Sequence, residues 1–238
     1  MRQESQNFLD FFADAGYRAV AVSLRGHGAS PTPTPLHKVS IADYIDDVRA
    51  VADDLGGWPV LIGHSLGGFV VQRYLETRRA PAAVLVGSVP PQGVLTLALR
   101  VWRRRPSMTL EAWNDRTLLK FLATPALARD YLFCADTPEA VVESCRQRAG
   151  AESVRAAMTD PILRRVRTRR VSTPMLVLGA EQDGFVSVGE VRATARAYRT
   201  EPEFFPMGHN MMLEPGWPDV AGRILAWLRA RDLTASAR

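Results

Sequence analysis

The stretch from residue 59 to residue 87 constrains the fold most. It reads as an apolar strand over 59–63 (PVLIG), a tight glycine turn around Ser65, a helix over 66–79 and a second apolar strand over 82–87 (AAVLVG). Apolar runs this short, without polar alternation, suit strands buried on both faces. A helix between two such strands suits a parallel sheet covered by helices.

The same alternation extends in both directions. Phe8, Phe11, Phe12 and Ala15 fall at helical spacing in residues 5–15, and Gly16 ends that helix. Residues 18–24 (RAVAVSL) predict a buried strand, closed by the turn-rich segment 25–30. A proline loop over 31–40 leads to Ser40, which can cap a helix over 41–55 that Gly56 and Gly57 stop. From 91 to 170 no strand is expected, only helical stretches at 93–105, 109–122 and 137–148. Alternation resumes with strand 174–179, a helix near 187–199, strand 202–206 and a helix over 217–231. The expected organisation is an α/β core from 1–90 and 171–238, interrupted by a helical cap or lid over 91–170.

With 47% hydrophobic and 23% charged residues the chain can bury a substantial core, and disorder is excluded. No apolar run is long enough for a membrane span, and no secretory signal is visible. The expectation is a cytoplasmic protein with no stable membrane anchoring. Cys134 and Cys145 are then reduced thiols, too few for a disulfide scaffold or a four-cysteine zinc site. The net charge is +5, carried almost wholly by arginine, since only Lys38 and Lys120 are lysines. The densest run, 164–170, lacks aromatic residues for base stacking, so it reads as a solvated helix end and no nucleic-acid partner is expected.

Gly63-His64-Ser65-Leu66-Gly67 fits the G-x-S-x-G pattern and stands between a strand and a helix, where that pattern exposes a serine hydroxyl. The helix that follows aims its N-terminal N–H groups at the reacting centre. A serine needs a base, and the base needs an orienting carboxylate. Of the four histidines, His64 is expected to point away from the turn, His27 lies in a glycine turn and His37 in a proline loop. His209 follows strand 202–206 and is the expected base. Asp183, just past strand 174–179, is the expected acid, with Glu181 as the alternative. The histidines are not at helical ligand spacing, so no metal or other cofactor is expected.

On these motifs the chain resembles the α/β-hydrolase fold superfamily, most closely its small serine hydrolases of the lysophospholipase and esterase kind. Gly16-Tyr17, Arg25-Gly26-His27-Gly28 with Ser30, Gly63 through Gly68, Gly179 through Asp183 and Gly208-His209 match in order and spacing. The cap over 91–170 matches in position only. The resemblance implies an α/β-hydrolase fold, a mostly parallel sheet flanked by helices, with Ser65 as nucleophile, Asp183 as acid and His209 as base. It implies the Leu66 N–H as one oxyanion donor. It argues against the dehalogenase branch, whose nucleophile is Asp.

The departure is at the front. Family members usually begin with a hairpin and a further strand, whose following loop supplies a second oxyanion N–H. That strand would lie between 18–24 and 59–63. Its absence would leave unpaired backbone in mid-sheet, so the sequence is expected to be N-terminally incomplete, as a fragment or through a misplaced start.

Residues 93–105 (GVLTLALRVWRRR) allow two readings, a lid helix whose apolar face meets an acyl chain or a membrane, or a cap helix packed on the core. The arginines gather at one end rather than forming a polar stripe, which favours packing. Trp102, Trp113, Phe121, Tyr131 and Phe133 either line an apolar pocket or form the insertion's own core. The expected function is hydrolysis of a carboxylic ester or related acyl bond through an acyl-enzyme, on a small-molecule acyl substrate. The alternatives are a non-catalytic binding protein or inactive fragment, and another triad chemistry on the same fold such as cofactor-free peroxidation, C–C bond hydrolysis or cyanohydrin cleavage.

Overall fold

The computed structural model describes residues 6–56, 58–115 and 118–234. Four strands form one all-parallel sheet in the order β1 (Leu61–His64), β2 (Ala83–Val86), β3 (Met175–Ala180) and β4 (Pro202–Phe205). Helix α3 (Leu66–Tyr74) crosses from β1 to β2, and α9 (Val188–Ala197) from β3 to β4. The chain opens with α1 (Gln6–Asp14) and α2 (Ile41–Asp54) and closes with α10 (Trp217–Arg229).

Strand alternation divides the core between the two faces of the sheet. Val84, Val86, Leu176 and Leu178 meet Phe8 and Phe12 of α1 and Ile224 and Leu228 of α10. Ala83, Leu85, Met175 and Val177 meet Val71 of α3, Val191 of α9 and Ala52 of α2. Both sides of β2 and β3 are therefore apolar, which is why these strands read as continuous apolar runs. Helices α2 and α9 start where their sequences say. Ser40 with Asp43 and Ser187 with Glu190 form capping boxes, each satisfying two backbone donors.

Among the described residues five α-helices separate β2 from β3, α4 (Leu95–Arg104), α5 (Pro106–Asn114), α6 (Pro125–Leu132), α7 (Glu139–Arg148) and α8 (Asp160–Leu163), the last continuing a π-helical turn over Arg155–Thr159. The expected helix over 109–122 is instead α5, begun by Pro106 at its first position, and a separate 3-10 turn over Leu119–Leu122. Helix α6, capped by Thr124 before Pro125, is additional to the expected elements. Phe121, Tyr131 and Phe133 form the insertion's own core with Val101 and Val142, whereas Trp102 and Trp113 are exposed. Cys134 and Cys145 are buried thiols. Most of the run 164–170 faces solvent, as expected.

The expected strand over 18–24 fails. Residues 18–24 are not a strand; they run as irregular chain, with Val20 exposed. A strand exists only through pairing. Among the described residues no strand pairs with β1 on the side away from β2, and Ile62 is half exposed. Helix α4 packs on the core in part: Val101 is buried and Leu97 packs against the same cluster, while Leu95, Leu99 and Trp102 face solvent.

Candidate active site

Ser65 sits between β1 and α3 with φ +50° and ψ −120°, a backbone conformation that ordinary residues rarely adopt. The surrounding packing enforces it. A Cβ on Gly63 would fall 2.6 Å from the Gly68 Cα, and a Cβ on Gly68 would fall 2.2 Å from Ser88 Oγ. Strand and helix can approach this closely only because both positions are glycine. Gly67, the second glycine of the G-x-S-x-G pattern, has open space where its Cβ would stand. The steric requirement thus falls on Gly68, one residue further along. The Ser65 N–H donates to the Val86 carbonyl at 3.1 Å, and the Val89 N–H donates to the Ser65 carbonyl at 3.1 Å, clamping the turn to the end of β2.

Three side chains that are far apart in sequence meet at this turn. His209 Nε2 lies 2.9 Å from Ser65 Oγ, and His209 Nδ1 lies 2.7 Å from Asp183 Oδ2. An ionised carboxylate only accepts hydrogen bonds, so Nδ1 carries the proton and Nε2 is left to accept from the serine hydroxyl. The Asp183 carboxylate is itself fixed: Oδ1 accepts the N–H groups of Phe185 and Val186 at 2.7 and 2.8 Å. Side-chain exposure is 3% for His209 and 1% for Asp183, so the pair is shielded from water, which strengthens it. Glu181, the alternative acid, is exposed to solvent. Leu66 opens α3, and its N–H has no carbonyl one turn back to bond.

Two further residues brace His209. His64 packs on the His209 ring with centroids 4.7 Å apart, and its Nε2 donates to the His209 carbonyl at 3.0 Å. This differs from the expectation that His64 points away. Burial, and then the neighbouring His209, push the His64 imidazole down to about 3, which keeps it neutral. Glu214 is buried, and its Oε1 accepts the Gly208 N–H at 2.8 Å and the Cys134 N–H at 3.1 Å. It thereby ties the loop carrying His209 to the end of α6. The Asn210 N–H adds a second tie, donating to the Leu132 carbonyl at 2.9 Å. Phe185 covers His209 edge-on at 5.5 Å and stacks on Tyr131 at 5.0 Å. A carboxylate five residues past a histidine is no general signal, and the partners of Glu214 are backbone groups, so sequence reasoning missed it.

The remaining histidines lie elsewhere. His27 is near Glu152 at 3.4 Å and edge-on to Tyr44; burial opposes its charged form, but the Glu152 carboxylate overrides this and raises its pKa. His37 belongs to a 3-10 turn over Leu36–Lys38. No helix among the described residues is long and apolar enough to cross a membrane.

A model described as the alpha/beta hydrolase family matches residues 4–219. Over 90 residues the chain is 44% identical to a non-heme chloroperoxidase of Streptomyces lividans, covering 36% of this chain and 32% of that protein. Over 91 residues it is 42% identical to a bifunctional esterase/perhydrolase of Acinetobacter calcoaceticus, again covering 36% and 32%. The matched stretch spans about a third of these curated relatives. Among solved structures, a thermophilic esterase from Thermogutta terrifontis aligns over 97% of this chain and 86% of its own, at TM-score 0.68 and 24% identity. A bromoperoxidase from Bacillus anthracis aligns over 95% and 87%, at TM-score 0.71 and 21% identity. At such identities the likeness concerns the fold alone.

Proposed function

The chain belongs to the alpha/beta hydrolase family, and from that premise we propose that it is a serine hydrolase cleaving a carboxylic ester or related acyl bond. The observation carrying this reading is the continuous path from Ser65 Oγ through His209 to Asp183, at 2.9 and 2.7 Å. In it, Ser65 Oγ attacks the acyl carbonyl while His209 Nε2 takes the hydroxyl proton. Asp183 holds the tautomer and stabilises the imidazolium that forms. The Leu66 N–H and the positive end of α3 stabilise the oxyanion. His209 then protonates the leaving alcohol. Water, activated by the same imidazole, attacks the acyl-enzyme and releases the acid. Helices α4 to α8 act as a cap over this chemistry, with Phe185 and Tyr131 as an apolar wall beside the base.

Labelling with a fluorophosphonate probe tests the reading. The expected result is one adduct on Ser65, absent from Ser65→Ala and from His209→Ala, and ester turnover reduced about 10⁴-fold in Asp183→Asn. A folded chain that takes no label would overturn it in favour of a non-catalytic binding role.

A second reading shares the same acyl-enzyme. The chloroperoxidase and the esterase/perhydrolase to which this chain is similar favour hydrogen peroxide as an alternative acyl acceptor. Peroxide oxygen would attack the acyl carbon, Ser65 would leave with its proton restored through His209, and a peracid would form. Peracid produced from a carboxylic acid and peroxide, and lost in Ser65→Ala, would support it.

A further inference from the structure

We propose that the outer face of α4 and α5 docks reversibly on an anionic lipid–water interface. The orientation of α4 carries this inference. Leu95, Leu99 and Trp102 are spaced by four and three residues, so they form one stripe along the helix. Leu110 and Trp113 form a shorter stripe on α5, which packs against α4. All five are between 47% and 60% exposed. The inward side of α4 is held by Val101, which is buried, by Leu97, and by Arg100, which donates to the Phe185 carbonyl and, at 2.9 Å, to Glu190 Oε2, so the outer leucines and Trp102 are surplus to its packing. A surface helix of a soluble domain normally turns polar residues outward, whereas this one adds three large apolar side chains to its outer face. Apolar side chains concentrated in this way on a surface mark an interaction site.

Charge at the margin of the stripe selects the partner. Arg103, Arg104 and Arg105 follow Trp102 directly and are exposed. Arg105 pairs with Asp130 at 2.7 Å. Lys120 lies 3.5 Å from Glu111 and 3.0 Å from Asp115, the nearby acids of α5 and its end. Among the described residues no carboxylate pairs with Arg103 or Arg104. A second copy seated on this face would add its own Arg103 and Arg104 to the interface, while Asp130, Glu111 and Asp115 beside it are already engaged by Arg105 and Lys120. An anionic headgroup layer neutralises them while the leucines enter the acyl boundary. The two tryptophans suit the headgroup level, where an apolar ring with one polar N–H is favoured. Helix α4 is about 15 Å long, enough to lie in such a surface and too short to cross it. Its inner contact with Phe185, the residue covering His209, would hold the candidate active site close to the lipid.

Co-sedimentation of the full chain with vesicles tests the proposal. The probes are vesicles of equal parts phosphatidylglycerol and phosphatidylcholine, and vesicles of phosphatidylcholine alone. The chain is expected to bind the anionic vesicles at least about 10-fold more tightly than the neutral ones, and less at high salt. Leu99→Ser/Trp102→Ser and Arg103→Ser/Arg104→Ser should each lose about 10-fold on the anionic vesicles. Ser65→Ala should bind as the natural chain does, which separates docking from the hydrolase reading. All four substituted side chains are exposed, and thermal melts verify that the variants stay folded; should the apolar pair melt early, the arginine pair decides. Equal binding of the natural chain and the arginine pair overturns the proposal. So does a dimer in sedimentation velocity that Leu99→Ser/Trp102→Ser dissociates, since the face would then join two copies.

Discussion

Ser65 has the left-handed backbone conformation that most residues avoid, and the cost, about 1–3 kcal/mol, is borne by the glycines packed beneath it. The geometry separates two adjacent positions. Gly68→Ala drives a methyl into Ser88 and should lower stability by about 1–3 kcal/mol with loss of probe labelling. Gly67→Ala meets open space in a helix and should be neutral or stabilising by up to about 1 kcal/mol. Denaturant titration of both variants checks this, and equal effects would contradict the close-approach account. His64 provides a pH prediction. Its folded-state pKa of about 3 lies below the ordinary 6.5, so between those values the unfolded chain binds the extra proton. Its contribution is complete above about pH 6.5 and lost as pH falls towards 3. His27, raised rather than lowered, acts in the opposite direction and is common to the proteins compared. His64→Gln should therefore lose less stability than the natural chain between about pH 7 and pH 5, by an amount on the order of 1 kcal/mol or more. Parallel losses in urea unfolding at the two pH values would refute a neutral, buried imidazole.

The loops after β3 and β4 are held by the cap rather than by the sheet alone. Glu214 bridges the Gly208 and Cys134 amides, so Glu214→Ala leaves two buried donors without an acceptor and should cost about 2–5 kcal/mol. If the bridge also aligns His209, kcat per labelled serine should fall while KM changes little. A fall in the labelled fraction alone would assign Glu214 a purely structural role. Elements of this kind differ in how plainly sequence announces them. Helices α2 and α9 are legible because a serine cap and its acidic partner three residues on are local. The buried strands are legible because both their faces are apolar. Helix α6 passed unnoticed although Thr124-Pro125 is a start signal, because it lies among helical stretches with weak periodicity. For α4 the sequence leaves open a lid face or a packed cap helix, because which side turns outward depends on what the rest of the cap offers.

Across the whole molecule, four parallel strands bring the ends of β1, β3 and β4 to one edge of the sheet, where residues 65, 183 and 209 converge. Among the described residues the same sheet has β1 at its edge, unpaired on one side. Ile62 there is 40% exposed, and open apolar edges recruit strands from other chains. The chain should self-associate with rising concentration, and Ile62→Lys should reduce light scattering without disturbing serine labelling; unchanged scattering would place the association elsewhere. Read alone, the amino-acid order settles the α/β class and the serine turn, and it points to a histidine and a carboxylate after the two later strands, Asp183 or Glu181. Each of these is written in local periodicity and in residues whose backbone demands are their own. It does not settle that 18–24 lacks a ladder, that Gly68 rather than Gly67 is the tight contact, or that His64 and Glu214 brace His209 and its loop. Those are relations between segments distant along the chain. They arise when backbone groups and side chains must share one volume, and a linear pattern of residues carries no record of which distant neighbour will be there.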